Sequence, residues 1–317
     1  MPRVLITDYV HPILITGLRD LGYFVHYIPE IEREQVLDWI HNCAGIVINT
    51  KTVADADLIV AAQALKWIAR LGSGLDIIDL HAAQSRGIIV ISTPQANANA
   101  VAEHVFGMLL CLMRNIAIAD GEVRQGLWNR EKNRGRELRG KTVGVIGFGH
   151  TGSAFASKFE GWDVRVMAYD KYKTHYTGNS FFIHESTLQE VLSSSDIISL
   201  HLPLTAETRQ MVDPSFLSRC KPGAILLNSS RGKVLNTAAL LEALQSGHVS
   251  GACLDVFENE KPDTYSRAEK VLYKTLASMD NVILTPHVAG WTFESKRRIA
   301  EQVVLEVGKV GETGEAG

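Results

Sequence analysis

The chain is poor in the features that mark several protein classes. Only four cysteines occur in 317 residues, Cys43, Cys111, Cys220 and Cys253, with no CxxC pair and no spacing of a disulfide framework. A disulfide-stapled fold and a thiolate metal site are therefore not expected, and the four read as reduced thiols of a cytoplasmic protein. No apolar window approaches about eighteen uninterrupted residues, so no membrane span is expected. The opening MPRVLITDYV is a short strand-like run without the apolar core of a signal peptide. A net charge of −3 gives neither a nucleic-acid footprint nor a basic face for a membrane. Low-complexity tracts and solenoid periods are absent as well. What remains is a soluble chain long enough for two ordinary domains.

What is present is alternation. RVLIT, YFVHYI, GIVIN, KWIARLG and IIVISTP read as strands. Between them, residues 12–21, 31–41, 54–64 and 77–85 repeat apolar residues at three- and four-residue spacing, as amphipathic helices do. Repeated strand–helix units imply an α/β fold, a parallel sheet with helices on both faces. A single helix is expected over 99–124, apolar around much of its circumference and so covered by a domain or a second subunit; a homodimer through it is predicted. NREKNRGRELRGK reads as an exposed loop. A second series then runs TVGVIG, VRVMAYD, DIISLHLP, AILLNSS, GACLDV and NVILTPH. The amphipathic helix SKRRIAEQVVLEVGKV and a tail at 311–317, expected to fray, close the chain.

The second series opens on Gly147-x-Gly149-x-x-Gly152, between an apolar strand and a helix. Such spacing is weak alone, but here Asp170 ends the next strand, eighteen residues beyond Gly152. The glycines allow a tight turn and bring backbone N–H groups and a helix N-terminus to a pyrophosphate. Asp170 is placed to accept from ribose hydroxyls and to repel a 2′-phosphate, which favours NAD over NADP. Lys171 and Lys173 next to it work against that preference.

Three later strand ends carry ionisable groups. Arg231 follows AILLNSS, Asp255 and Glu260 follow GACLDV, and His287 follows LTP, whose proline marks the end of its strand. Ligands of open α/β sheets bind outside the carboxyl ends of the strands, so these groups are expected to converge. An arginine suits a two-pronged grip on a carboxylate, and a histidine beside a carboxylate suits proton donation to a carbonyl. Each alone reads more readily as a surface residue; their joint occurrence beside a dinucleotide loop points to a site.

GKTVGVIGFGHTG, HLPLTAET, NSSRG, GACLDVFENE and TPHVAG, in this order, resemble the D-isomer-specific 2-hydroxyacid dehydrogenase family over almost the whole chain. RLGSGLDIIDL and STPQANANAVAEH match its hinge region. The resemblance implies two doubly wound parallel-sheet domains: a flavodoxin-like substrate domain, 1–98 with 291–317, and a Rossmann NAD-binding domain, 99–290. It implies an NAD-dependent oxidoreductase that interconverts a D-2-hydroxy acid and its 2-oxo acid. Arg231 would bind the 2-oxo acid, Glu260 would hold and charge His287, and His287 would protonate the carbonyl; Glu258 is the alternative carboxylate. His150 and Thr151 match the pyrophosphate turn, and Leu202, Pro203 and Ser229 the path from adenosine to nicotinamide. Asp255 matches a position near the carboxamide, Gly290 the turn over the ring, and Ser73 and Gly74 the loop shared by substrate carboxylate and nicotinamide. No metal is implied.

Within the family the similarity is strongest to the D-3-phosphoglycerate dehydrogenase branch and the glyoxylate/hydroxypyruvate reductases beside it. Lys51, with Thr50 and Thr52, matches a phosphate-binding loop, but Asn49 stands where an arginine is expected. Arg130, Lys132, Arg134 and Arg136 could add charge from a partner subunit, but the run reads more readily as a solvated charged loop. The chain ends without the branch's regulatory domain, so control through such a domain is not expected. The segment after Glu260, residues 261–280, is longer than usual for the family, and Trp291 either narrows the pocket or packs at a domain seam. Formate-dehydrogenase-like activity is disfavoured by Glu260 where that branch has glutamine; phosphite oxidation stays open. Outside catalysis, an NAD-sensing corepressor-like binding protein is the rival reading.

Overall fold

Parallel strands buried on both faces need side chains that pack in both directions, and the apolar runs supply them. A computed structural model describes residues 1–178 and 180–314, the last four by backbone only. The chain forms two compact units, Met1–Asn97 with Trp291–Gly317, and Ala98–Gly290.

In the first unit, strands β1 (Arg3–Ile6), β2 (Phe24–Tyr27), β3 (Cys43–Ile48), β4 (Trp67–Arg70) and β5 (Ile89–Ile91) pair in the order β2-β1-β3-β4-β5. All the pairs are parallel. Helices α1 (Pro12–Asp20), α2 (Arg33–Ile40), α3 (Ala56–Ala61) and α4 (Leu80–Ser85) connect them. One face packs Leu5, Ile46 and Ile68; the other packs Val4, Val47 and Trp67 with Val303 and Val307 of the C-terminal helix. This is the flavodoxin-like strand order.

The second unit begins with α5 (Ala98–Met113) and α6 (Ile116–Arg124). Strands β6 (Thr142–Ile146), β7 (Arg165–Tyr169), β8 (Ile183–Glu185), β9 (Ile197–Leu200), β10 (Ala224–Asn228), β11 (Val249–Leu254) and β12 (Val282–Leu284) follow. They pair as β12-β11-β10-β9-β6-β7-β8, the doubly wound dinucleotide order, which reverses between β6 and β9. Helices α7 (His150–Ser157), α8 (Leu188–Ser194), α9 (Pro214–Ser218), α10 (Thr237–Gln245) and α11 (Arg267–Ala277) belong to this unit, and α12 (Phe293–Gly314) returns to the first. Alternate residues of each strand serve opposite faces. Ile225 and Leu227 join Leu109 and Phe155, while Leu226 joins Phe216 and Leu240.

The helix expected over 99–124 is two helices, bent by 63° at the break. Asn115 takes a left-handed backbone, φ 52°, which asparagine tolerates. The N–H of Arg136 donates to the freed Met113 carbonyl at 2.7 Å, so a distant segment caps α5. Burial divides in the same way: α5 is largely buried, whereas α6 buries none of its residues. No single described helix is long and apolar enough to cross a membrane. β8 escapes a sequence reading because it is a three-residue edge strand. The segment after Glu260 is not a plain loop: α11 fills much of it, opened by a capping box between Ser266 and Glu269. Of the tail expected to fray, α12 reaches Gly314 and residues 315–317 lie outside the described residues.

Candidate active site

The glycine loop leaves β6 at the point where the strand order reverses. Gly147 has φ +90°, and a Cβ there would lie 2.3 Å from the His201 carbonyl oxygen. A Cβ on Gly152 would lie 2.0 Å from the Gly147 oxygen, so the helix can approach the strand only with glycine. Gly149 faces open space and caps α7 without a side-chain hydrogen bond. The first N–H groups of α7, including those of His150 and Thr151, therefore lack a side-chain acceptor from the cap, as a pyrophosphate site requires. Beyond β7, Asp170 accepts from the N–H of Phe148 at 2.9 Å and of Tyr172 at 3.0 Å. Its carboxylate is fixed beside the glycine loop with lone pairs to spare. Leu202 and Pro203 lie on the loop after β9, where Thr208 Oγ1 donates to the Pro203 carbonyl at 2.6 Å. Ser229, past β10, holds a buried hydroxyl with no partner, as a residue awaiting a ligand would. These residues fit a dinucleotide. Burial pushes His201 down to about 3, so that ring stays neutral.

The ionisable strand ends meet. Asn228 closes β10; its Oδ1 accepts from Ser230 N–H (3.0 Å) and Oγ (2.8 Å), and its Nδ2 donates to the Arg231 carbonyl at 3.2 Å. That turn launches Arg231, whose Nη1 donates to the Ser230 carbonyl at 2.7 Å. Past β11, Glu260 Oε2 lies 2.8 Å from His287 Nδ1. Burial works to raise the Glu260 carboxyl, but the hydrogen bond and charge of His287, with a smaller contribution from Arg231, hold it below the usual carboxylate range. Glu258, the alternative carboxylate, instead accepts from Thr237 N–H and Gln210 Nε2, each at 2.8 Å. Between them, Asn259 donates its N–H to Tyr273 Oη at 3.3 Å and its Nδ2 to Glu269 at 3.2 Å. The unusual segment with α11 thus anchors the residue next to Glu260.

His287 has a left-handed backbone, φ 56°, a conformation that costs energy for any residue but glycine. A buried carboxylate holds it there. Asp255 accepts from Thr285 Oγ1 at 2.5 Å and from the N–H groups of Val288 and Ala289, both at 2.9 Å. The His287 N–H donates to the Asp255 carbonyl at 2.7 Å. His104 of α5 joins the cluster, its Nε2 being 3.0 Å from Thr285 Oγ1 and 3.6 Å from Asp255. Sequence reading overlooked His104; the only signal was a polar residue within an apolar helix. Gly290 follows this turn and ends the unit.

Lys51, Ser73 and Gly74 belong to the first unit. Lys51 Nζ donates to the Pro29 carbonyl, and Asn49 is buried, its N–H donating to Asp8 at 2.9 Å. Arg70, also overlooked, ends β4 with its guanidinium packed against Gly72, next to Ser73. Trp291 is half exposed and carries Lys296 Nζ over its ring, 4.1 Å from the centroid. In the charged loop, Lys132 pairs with Glu122 at 2.9 Å and Arg134 with Glu131 at 2.5 Å. Among the described residues no group of three or more His, Cys, Asp or Glu side chains could hold a metal.

Replacing Asp255 with alanine removes the acceptor of two N–H groups and one hydroxyl. We expect a loss of about 2–4 kcal/mol, because a stranded buried donor costs about 1–3 kcal/mol and only the Ala289 N–H is fully buried, the other two being part-buried; it is read as a clear fall in the calorimetric melting temperature. A melting temperature unchanged within a degree would mean that the carboxylate does not hold the turn.

Residues 106–289 match the model of "D-isomer specific 2-hydroxyacid dehydrogenase, NAD binding domain". The chain is 33% identical over 304 residues to D-3-phosphoglycerate dehydrogenase of Rattus norvegicus, covering 96% of this chain and 55% of that protein. It thus spans about half the length of the curated relatives it matches. D-lactate dehydrogenase of Aquifex aeolicus, solved with NAD and lactic acid, superposes with a TM-score of 0.84 at 30% identity, covering 99% of this chain and 96% of that one. An acyclic imino acid reductase solved with NADPH and D-Arg superposes at 0.82 with 27% identity, covering 95% and 94%. The strand order, the glycine cradle and these matches agree: the chain belongs to the D-isomer specific 2-hydroxyacid dehydrogenase family, and its second unit is that family's NAD-binding domain.

Proposed function

We propose that this protein is an NAD-dependent oxidoreductase that interconverts a D-2-hydroxy acid and its 2-oxo acid. The observation that carries the reading is the 2.8 Å pairing of His287 Nδ1 with Glu260, alongside Arg231, at the carboxyl end of a dinucleotide-binding sheet. Bound NADH supplies the hydride. Arg231 grips the substrate carboxylate in a two-pronged contact and orients the carbonyl. With Nδ1 committed to Glu260, Nε2 of His287 is the atom that gives its proton to the carbonyl oxygen, and in the reverse direction takes it from the hydroxyl. Glu260 fixes the ring and balances the charge of the imidazolium.

Gly147, Gly149, His150, Thr151 and Gly152 hold the pyrophosphate, and Asp170 the adenosine ribose. Leu202 and Pro203 flank the adenosine. Ser229, Gly290 and Ser73 serve the nicotinamide end, and Asp255 acts there through the turn it holds. The unit with Lys51, Ser73 and Gly74 is the substrate domain, and Arg70 adds a cation at its sheet edge.

The names of the curated relatives support 3-phosphohydroxypyruvate and D-3-phosphoglycerate as the substrate pair. Two observations favour a second reading, a glyoxylate/hydroxypyruvate reductase: Asn49 is buried where a phosphate-binding arginine is expected, and Lys51 is engaged by a backbone carbonyl. The unpaired cysteines agree with a cytoplasmic protein. The homodimer expected through 99–124 is proposed on the second half of that stretch, α6, because α5 is buried in the core of its own unit; on α6 Ile116 and Val123 are each 53% exposed, and Trp128 just beyond it is 77% exposed.

NADH oxidation with phosphohydroxypyruvate, hydroxypyruvate, glyoxylate and pyruvate tests the substrate. We expect phosphohydroxypyruvate to give the highest kcat/KM. A preference for glyoxylate or hydroxypyruvate selects the second reading, and turnover of none of the four contradicts the enzyme assignment. Light scattering should report twice the chain mass for the wild type and a monomer for Trp128→Glu; a monomeric wild type excludes the dimer.

A further inference from the structure

The strand end that bears Asp170 sends two messages. The carboxylate suits a ribose with free hydroxyls, yet the next residues, Lys171, Tyr172 and Lys173, are donors of the kind that bind a phosphate. A nicotinamide dinucleotide with a 2′-phosphate would find both at the same place. The surrounding contacts resolve the conflict. Lys173 Nζ donates to the Phe148 carbonyl at 2.9 Å, inside the glycine loop. Lys171 Nζ pairs with one oxygen of Glu207, and Tyr172 Oη donates to the other at 2.6 Å. A single carboxylate, brought from the loop after a different strand, thus occupies two of the three donors.

We propose that Glu207 is a specificity-determining residue of the cofactor site: by occupying Lys171 and Tyr172 it withholds them from a 2′-phosphate and so excludes the phosphorylated dinucleotide. The proposal rests on the reading of Asp170 as the ribose acceptor. Glu207 sits on a braced turn. Thr205 N–H donates to Thr208 Oγ1 at 2.8 Å, Thr208 N–H returns a bond to Thr205 Oγ1 at 3.2 Å, and Thr208 itself is buried. The carboxylate is therefore delivered from a fixed platform. The charge balance points the same way: Asp170 and Glu207 cancel Lys171 and Lys173, leaving no net cation for a phosphate dianion. Stability does not account for the pair, because both side chains are about half exposed, at 54% and 45%, and such pairs contribute little. Removing the Glu207 charge leaves one net positive charge and two free donors beside Asp170.

The test uses the full chain without bound cofactor and isothermal titration with NAD+, NADP+ and adenosine 2′,5′-bisphosphate. For Glu207→Gln we expect the ratio of NADP+ to NAD+ affinity to rise about tenfold, the scale of one charge-assisted hydrogen bond. Adenosine 2′,5′-bisphosphate should tighten in parallel, and the gain should shrink as salt is raised. Adding Lys171→Met to Glu207→Gln should abolish it. A gain in binding cannot come from misfolding, which keeps the result interpretable. Asp170→Ala separates the two layers. If it leaves NAD+ affinity unchanged, the ribose reading fails. If it weakens NAD+ while Glu207→Gln leaves the ratio unchanged, the role of Glu207 alone is overturned.

Discussion

The buried carboxylate of Asp255 is the constraint on which the candidate site depends. A histidine held with φ 56° needs outside support, and the turn carrying His287 gets it from one side chain that accepts from Thr285, Val288 and Ala289. Because Asp255 directly follows β11 and the turn follows β12, the restraint crosses between neighbouring strands and ties the turn to the sheet. Glu260 leaves the same β11 end a few residues later and meets the imidazole at 2.8 Å. One strand end thus both shapes the turn and supplies the partner of its histidine. His104 extends the cluster to α5, the most deeply buried helix of the unit.

A parallel sheet explains why such groups gather. All seven strands of the second unit point the same way, so each C-terminal end opens on the same edge, where the loops are free to carry polar chemistry while the strands stay apolar. The glycine loop leaves β6, Asp170 leaves β7, Glu207 lies on the loop after β9, Arg231 follows β10, Glu260 follows β11 and His287 follows β12. Cations and anions along this edge come in near-balanced sets. Glu260 faces His287 and Arg231, and Glu207 faces Lys171. The arrangement sets a carboxylate against the histidine and pairs off charge at the ribose end.

Much of this was legible from residues alone, for local reasons. Apolar runs bounded by Gly, Pro or Asn mark buried parallel strands, and the strand ends they define carried Arg231, Glu260 and His287 to one place. What was not legible depended on partners distant in sequence. Asn115 breaks the expected long helix in a conformation that Arg136, twenty-one residues on, helps to cap. The cations beside Asp170 read as a challenge to NAD because Glu207, which pairs with Lys171, lies thirty-six residues away. Asp255 read as a ligand contact, and nothing local signals that its oxygens are engaged by a turn some thirty residues later. The segment after Glu260 is different: its SRAE capping box was visible, and α11 could have been read from it.

The central claim is that His287 moves the proton while the glycine cradle binds the cofactor without it. The most direct test measures, on the same samples of wild type and His287→Asn, NADH affinity by fluorescence titration and NADH oxidation by the preferred 2-oxo acid. Loss of a general acid–base should lower turnover by roughly 10²–10⁴, with NADH affinity within about twofold of wild type, a margin well below one tenfold step. Turnover comparable to wild type in the variant would contradict the account.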